Sequence, residues 1–419
     1  MKEIRRDIYL NQLIEKQWNG QVKIITGLHR SGKSYLLFTL FFRHLIEHDV
    51  PQDHIIALAL DDFRNRQYRQ ADALYGYVTK RITSSDRYYV LLDEIQKADD
   101  FVDVLNGFLH IPNIDVYVTG SNSKFLSSDI ATEFGDRGDE INVHPLSFSE
   151  FYSVYDGDKH SAWDEYCRYG GMPLVLQRTT DAAKQQYLKD LFRKVYLKDI
   201  VARYGLRADN ELANVTDIVA SDIGSLLNPL RIANTMKTAK NKSVSQNTIE
   251  KYLDYLQDSF LIDQAVRYDI KGRRYISTPQ KYYFTDVGLR NARINFRQQE
   301  ENHIMENVIY NEMVRRGYAV DVGAVEMFAT VDGKRCRKRY EVDFVINRFD
   351  QRFYVQFAWD IPDNEKREQE TFSLRHIGDN FRKVVVTGNP YEKPWTDRNG
   401  ITFIGIMPFL LDPKSIETL

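Results

Sequence analysis

Cysteine is nearly absent: the chain of 419 residues has 2, Cys167 and Cys336, with no CxxC spacing. That excludes a disulfide framework and a cysteine zinc knuckle, and it suits a reducing, cytoplasmic setting. Long apolar runs are missing too. The longest, Tyr35 to Phe42 and Ile55 to Leu60, fall short of the ~20 residues that cross a bilayer, and the opening MKEIRRDIYLNQLIEKQW is charged throughout. Neither a membrane span nor an export segment is expected. No charge of one sign dominates, since 57 Lys+Arg against 59 Asp+Glu leave a formal net charge of -2. The total therefore gives no global pull toward nucleic acid or acidic lipid. With 43% hydrophobic and 28% charged residues, disorder, collagen and coiled coil are excluded. The length allows about two to four domains.

What is present begins with an α/β pattern. Val22 to Thr26, His54 to Leu60, Tyr88 to Leu92 and Asp115 to Thr119 are short apolar runs separated by helical stretches. Their spacing predicts strands of a parallel sheet with crossover helices, an α/β domain over 1–145. Amphipathic segments such as Asp181 to Tyr204 follow and predict a small helical lid over 146–208. Residues 209–297 give three helical patterns and two strand-like runs, Leu261 to Tyr268 and Lys281 to Thr285, around the turn IKGRRYISTP, which resembles a winged helix. From 298 to 419 a helix, Glu301 to Arg316, precedes the strands Tyr340 to Asn347, Phe353 to Trp359, Lys383 to Thr387 and Ile401 to Ile406, a second α/β domain.

The first domain carries the clearest chemistry. Gly27, Leu28, His29, Arg30, Ser31, Gly32, Lys33 and Ser34 match the P-loop pattern GxxxxGK[ST] between a strand and the helix opened by Tyr35. Glycines permit a tight loop whose N–H groups surround the phosphates of ATP; Lys33 reaches the β and γ phosphates and Ser34 ligates Mg2+. The strand Tyr88 to Leu92 ends in Asp93, which would complete the magnesium shell, and Glu94, which would act as general base on the attacking water. At the tip of the next strand, Asn122 or Ser121 would sense the γ phosphate, unless Asn122 caps a helix at Lys124. Arg137 is either an arginine finger for a neighbouring subunit in a homo-oligomer or part of a surface salt bridge.

These motifs, with Val143 to Phe151, Tyr169-Gly170-Gly171-Met172-Pro173, Lys281-Tyr282-Tyr283 to Leu289, Glu306-Asn307 and Glu341-Val342-Asp343-Phe344-Val345, resemble a large prokaryotic family. It is the family of AAA-type ATPases whose C-terminal domain of unknown function is similar to archaeal Holliday-junction-resolvase and restriction-endonuclease folds. The resemblance covers nearly the whole chain. It implies ATP binding and hydrolysis, with magnesium, in a P-loop AAA-type core.

In 209–297, Ile232 to Met236 and Ser245 to Phe260 would form a helix-turn-helix whose second helix presents Gln246, Asn247 and Lys251 outward. Lys271, Arg273 and Arg274 at the hairpin tip would suit a wing on double-stranded or branched DNA. Residues 231–297 hold 13 Lys+Arg and 6 Asp+Glu, a local +7 that makes a phosphate-backbone footprint. The same residues would equally serve as a solvated face or meet an acidic protein partner.

The nuclease-like resemblance can be tested on spacing. A hairpin centred on Phe349-Asp350 sets Asp343 opposite Gln356 and Glu341 opposite Ala358, gathering polar residues on one face. The family resemblance implies Mg2+ on Asp343 and Gln356, with Glu306 as a third ligand and a lysine two residues after the second ligand. That position is Ala358. Without a cation there, hydroxide formation loses electrostatic support, so cleavage is not expected unless Lys366 or Arg367 takes the role. The alternative for Glu306 and Asp343 is a buried polar cluster retained for folding. The run Lys334 to Arg339, five of six residues basic, reads as an exposed hairpin loop.

Three readings stand. In the first, an ATPase cycle drives or gates binding to DNA. In the second, a nucleotide-dependent switch binds a protein partner, and the third is an ATP-regulated nuclease.

Overall fold

A computed structural model describes residues 3–120, 135–206, 209–297, 300–331 and 334–418. The chain divides into two compact units, Met1–Pro145 with short returns at Met172–Leu174 and Asp258–Phe260, and the remainder from Leu146 to Leu419.

Unit 1 is a parallel sheet of five strands in the order β2-β3-β4-β1-β5. A first helix α1 (Asp7–Glu15) leads into β1 (Val22–Thr26), all five of whose residues are buried. Helix α2 follows as Lys33–Tyr35, a π-helical stretch Leu36–Phe41, and Phe42–Glu47. Then come β2 (Ile55–Ala59), α3 (Ala71–Thr79), β3 (Tyr88–Asp93), α4 (Phe101–Leu109), β4 (Ile114–Thr119) and β5 (Gly138–Asn142). The central strands are apolar on both sides because helices cover both faces. One layer holds Leu36, Leu37, Phe41 and Tyr117; the other holds Leu74, Leu92, Leu105 and Phe108. All neighbours run parallel, so the C-terminal ends of β1, β3 and β4 form one edge of the sheet. That edge is where an open α/β sheet places its ligand.

Unit 2 starts with helices α5 (Phe148–Val154), α6 (Lys159–Tyr169) and α7 (Asp181–Leu191, continued by Phe192–Leu197 and Lys198–Arg203). Ser147 caps α5 in a capping box with Glu150. Three more helices, α8 (Asp209–Ser221), α9 (Pro229–Lys240) and α10 (Gln246–Asp258), precede the hairpin β6 (Ile262–Asp269) and β7 (Arg274–Phe284). After α11 (Val287–Arg293) and α12 (Glu301–Arg315) come β8 (Ala319–Val331), β9 (Lys334–Arg348), β10 (Gln351–Ala358), α13 (Asn364–Glu370), α14 (Phe372–Arg375), β11 (Arg382–Thr387), β12 (Trp395–Thr396), β13 (Ile401–Gly405) and α15 (Ile406–Leu411).

Three helices and a hairpin follow one another over 209–297, but the hairpin is not free-standing. Arg267–Asp269 of β6 pair in parallel with Val322–Ala324 of β8, so β6 and β7 join an eight-stranded sheet, β12-β13-β11-β10-β9-β8-β6-β7. One sheet thus crosses the expected division at 297/298. Two buried anchors hold α12 in place. Glu312 pairs with Arg315 and Arg316, and Arg316 reaches Ser415 Oγ at 3.0 Å; Asn307 both donates to and accepts from the backbone of Phe284.

Candidate functional site

In unit 1 the loop after β1 is built where only glycine fits. Gly27 has φ +124°, and a Cβ there would stand 2.3 Å from the Val143 carbonyl oxygen. Gly32, at φ +102°, starts α2. Between them Ser31 is fully buried, with its Oγ unpartnered, and Arg6 clamps the loop from outside by donating to the Ser31 carbonyl at 3.1 Å. Lys33 is buried and donates to the carbonyls of Gly27 and Leu28, each at 2.9 Å. Burial pulls its ammonium down to about 8, against the opposing influence of Glu94 and Asp93.

The neighbouring strand tips complete the arrangement. Ser34 Oγ donates to Asp93 Oδ1 at 3.0 Å, and the Thr119 hydroxyl donates to the same oxygen while accepting the Glu94 N–H at 3.0 Å. Asp93 is buried and its carboxyl is raised by that burial. Glu94 sits in left-handed backbone at φ 54°, at the turn out of β3, and its carboxylate accepts from Gln96. The expected sensor positions Ser121 and Asn122 lie outside the described residues, whereas Thr119, which touches both acidic residues, escaped the sequence reading. A threonine at a strand end looks like ordinary β propensity.

Arg137 lies elsewhere. It immediately precedes β5, whose Gly138 is in register with Val22, so it sits at the N-terminal edge of the sheet, roughly 16 Å along the strand from the P-loop edge. It is exposed and donates to Asn106 of the same chain at 2.8 Å.

Unit 2 holds a second constellation. The β9–β10 register pairs Phe344 with Val355, so Asp343 and Gln356 come next on one side, as the pleat predicts. There the ladder gives way to side chains: Gln356 Oε1 accepts the Asp343 N–H at 3.3 Å, and Asp343 Oδ2 accepts the Phe357 N–H at 2.8 Å. Glu306, Asp343, Gln356 and Ala358 line one cavity of about 690 Å³ with Lys366 and His303. A residue the sequence reading had not placed here, Lys281 of β7, is buried and bridges Glu306 at 2.8 Å and Glu341 at 2.7 Å. Tyr283 donates to the same Glu306 oxygen at 2.6 Å.

The charges sort accordingly. Glu306 is fully desolvated, yet Lys281, His303 and Tyr283 hold it down at about 2, while burial and the Glu306 charge push Asp343 up to about 8. Two carboxylates and an amide converge, and among the described residues no group of three or more His, Cys, Asp or Glu is arranged to hold a metal ion. Gln246, Asn247, Lys251, Lys271 and Arg273 are all exposed, and Arg274, also exposed, faces Asp269 at 3.6 Å.

The comparisons with known proteins match this layout. An AAA domain family matches residues 19–152. An uncharacterized protein of Haemophilus influenzae is 35% identical over 414 residues, covering 97% of this chain and 98% of that one. The chain belongs to that protein's family. An uncharacterized protein of Methanocaldococcus jannaschii, 27% identical over 97% of this chain and 90% of its own length, is a more distant relative. A domain of unknown function, DUF8612, matches residues 160–300. Among solved structures, the Aeropyrum pernix ORC1 protein in complex with DNA aligns with 70% of the chain and 93% of its own at 14% identity and TM-score 0.28. CDC6P from Pyrobaculum aerophilum gives 74%, 96%, 14% and 0.31.

Among the described residues no helix is long and apolar enough to cross a membrane.

Proposed function

We propose that the chain binds and hydrolyses ATP at the Gly27–Ser34 loop and that the nucleotide cycle gates binding to DNA by unit 2. The observation that carries the first half is the junction of Lys33, Ser34, Asp93 and Thr119 at one sheet edge. A buried ammonium held by two carbonyls can turn to phosphate oxygens, and a hydroxyl 3.0 Å from a carboxylate is the donor set a magnesium ion takes. The unpartnered Ser31 Oγ and the cradle that excludes a Cβ at Gly27 also fit a nucleotide. Ser34 and Asp93 would hold Mg2+, which would supply positive charge to neutralise the phosphates. Glu94 orients and deprotonates the attacking water; Thr119 fixes Asp93 and the Glu94 backbone, so it acts as a positioning residue.

The DNA half rests on the +7 of residues 231–297 and on the exposure of Lys251, Lys271 and Arg273. One observation favours a non-cutting role for unit 2. Ala358 stands where a nuclease needs its lysine, and Lys281, the buried cation nearest Glu306, is spent on Glu306 and Glu341.

Two measurements test the proposal. Glu94→Gln should retain ATP while losing turnover by about 100-fold or more; normal turnover in this variant would refute the assigned base. ATP hydrolysis should also rise with double-stranded or branched DNA. Equal rates with and without any DNA, together with a partner protein held in one nucleotide state only, would favour the switch reading.

A further inference from the structure

Strands β8 and β9 run past every neighbour they have. β6 pairs with β8 only at Val322–Ala324, and β10 pairs with β9 no further than Phe344. From Val325↔Tyr340 to Val331↔Lys334 the two strands pair with each other alone among the described residues, an antiparallel ribbon of about 20 Å. Its basic run Lys334 to Arg339, expected as an exposed hairpin loop, belongs to β9.

The ribbon has two unlike faces, because opposed residues in an antiparallel ladder share a side. Val325 and Tyr340 face inward: Val325 is buried in the cluster of Val342 and Leu374, and the Tyr340 ring lies 4.8 Å from that of Phe372. The other face carries the opposed pairs Glu326–Arg339 and Phe328–Arg337. It is open to solvent, with Phe328 59%, Arg337 70% and Arg339 50% exposed. Glu326 contacts both guanidinium groups, Arg339 at 2.6 Å and Arg337 at 3.5 Å, and Arg337 lies 5.8 Å from the centre of the Phe328 ring. Two arginines are thus spaced one pleat repeat apart and oriented by a shared carboxylate, which lowers the entropy lost when they bind. Between residues 325 and 340 five Lys or Arg stand against Glu326 and Asp332, in a chain of net charge -2.

From this face we infer that the β8–β9 ribbon is a contact surface for double-stranded DNA. The inference rests on the DNA-binding half of the proposed function and moves its main contact away from the helix-turn-helix and hairpin tip. Charge complementarity to phosphates selects nucleic acid, with counterion release as the driving force. Shape selects the duplex form. Two paired strands fit the major groove of B-form DNA, about 12 Å wide, whereas the major groove of A-form RNA is too narrow for side chains to read. Arg337 and Arg339 meet the backbone, and the exposed Phe328 supplies an apolar contact beside them.

The test uses the full chain and a fluorescent DNA duplex, with affinity measured across a salt series. Arg337→Ala/Arg339→Ala should raise Kd by about tenfold or more and lower the log–log salt slope by about 2, with the thermal midpoint kept. A matched variant, Lys271→Ala/Arg273→Ala, serves for the hairpin tip. Parent-like Kd and slope in the ribbon variant, with binding lost in the tip variant, would overturn the ribbon and keep the DNA reading. No duplex binding by the parent at low salt would overturn both. Equal affinity for duplex RNA, or for polyglutamate with the same loss in the ribbon variant, would overturn the assignment to DNA.

Discussion

Lys33 in unit 1 and Lys281 in unit 2 are both buried lysines beside pairs of acidic residues, but they meet opposite surroundings. Lys33 donates to two backbone carbonyls, and the charges of Asp93 and Glu94 act on it only at a distance; its pKa falls to about 8. Lys281 lies against Glu306 and Glu341, and its pKa rises. Dipoles leave the first ammonium under-compensated and ready for an incoming anion. Carboxylates leave the second fully spent. A buried cation held by dipoles is a ligand site in waiting, whereas one held by charges is part of the scaffold.

The largest expected effects exchange the two roles. Lys281→Met leaves Glu306 buried without its cation and should cost about 3–5 kcal/mol of stability, read as a large fall in the unfolding midpoint of unit 2. Lys33→Met removes an ammonium that is costly to bury, so the midpoint of the nucleotide-free protein should hold or rise. If Lys281→Met left stability unchanged, the distinction between the two lysines would collapse.

A smaller effect follows from pH. Nucleotide binding favours charged Lys33, so affinity should be flat below about pH 8 and weaken about tenfold per unit above it. The sign for stability is the reverse: the cost of holding Lys33 charged is fully present below about pH 8 and relieved as pH rises toward the ordinary lysine value. Lys281 behaves oppositely, giving stability present below the ordinary lysine value and lost only as pH rises through its elevated one. Titrating affinity and unfolding of the same samples checks both.

Asp343 gives the finest test. Its folded pKa of about 8 exceeds the unfolded value, so unit 2 should lose stability as pH rises from about 4 to 8, and Asp343→Asn should flatten that slope. A slope unchanged by Asp343→Asn would place the titration elsewhere.

What the sequence made legible follows from how far apart the partners lie. The P-loop could be read because its spacing is local: Gly27 and Gly32 occupy two of its positive-φ positions, with Lys33 opening α2. The Asp343–Gln356 side could be read because a hairpin and a period of two fix it. Lys281 could not, since its contact with Glu341 depends on the place of β7 in a sheet whose order, β10-β9-β8-β6-β7, no local pattern encodes. The same long-range pairing, Arg267 with Val322, ties the expected wing into the C-terminal sheet. The ribbon was half legible. Its charge was plain, but its outward face required the register of β8 against β9.

The most direct measurement is nucleotide binding by titration calorimetry with MgATP, comparing the parent, Lys33→Ala and Lys281→Met at a temperature where all three are folded. Binding should be lost in Lys33→Ala and retained at the parent's affinity in Lys281→Met. Binding retained in Lys33→Ala would contradict the claim that the Gly27–Ser34 loop is the nucleotide site.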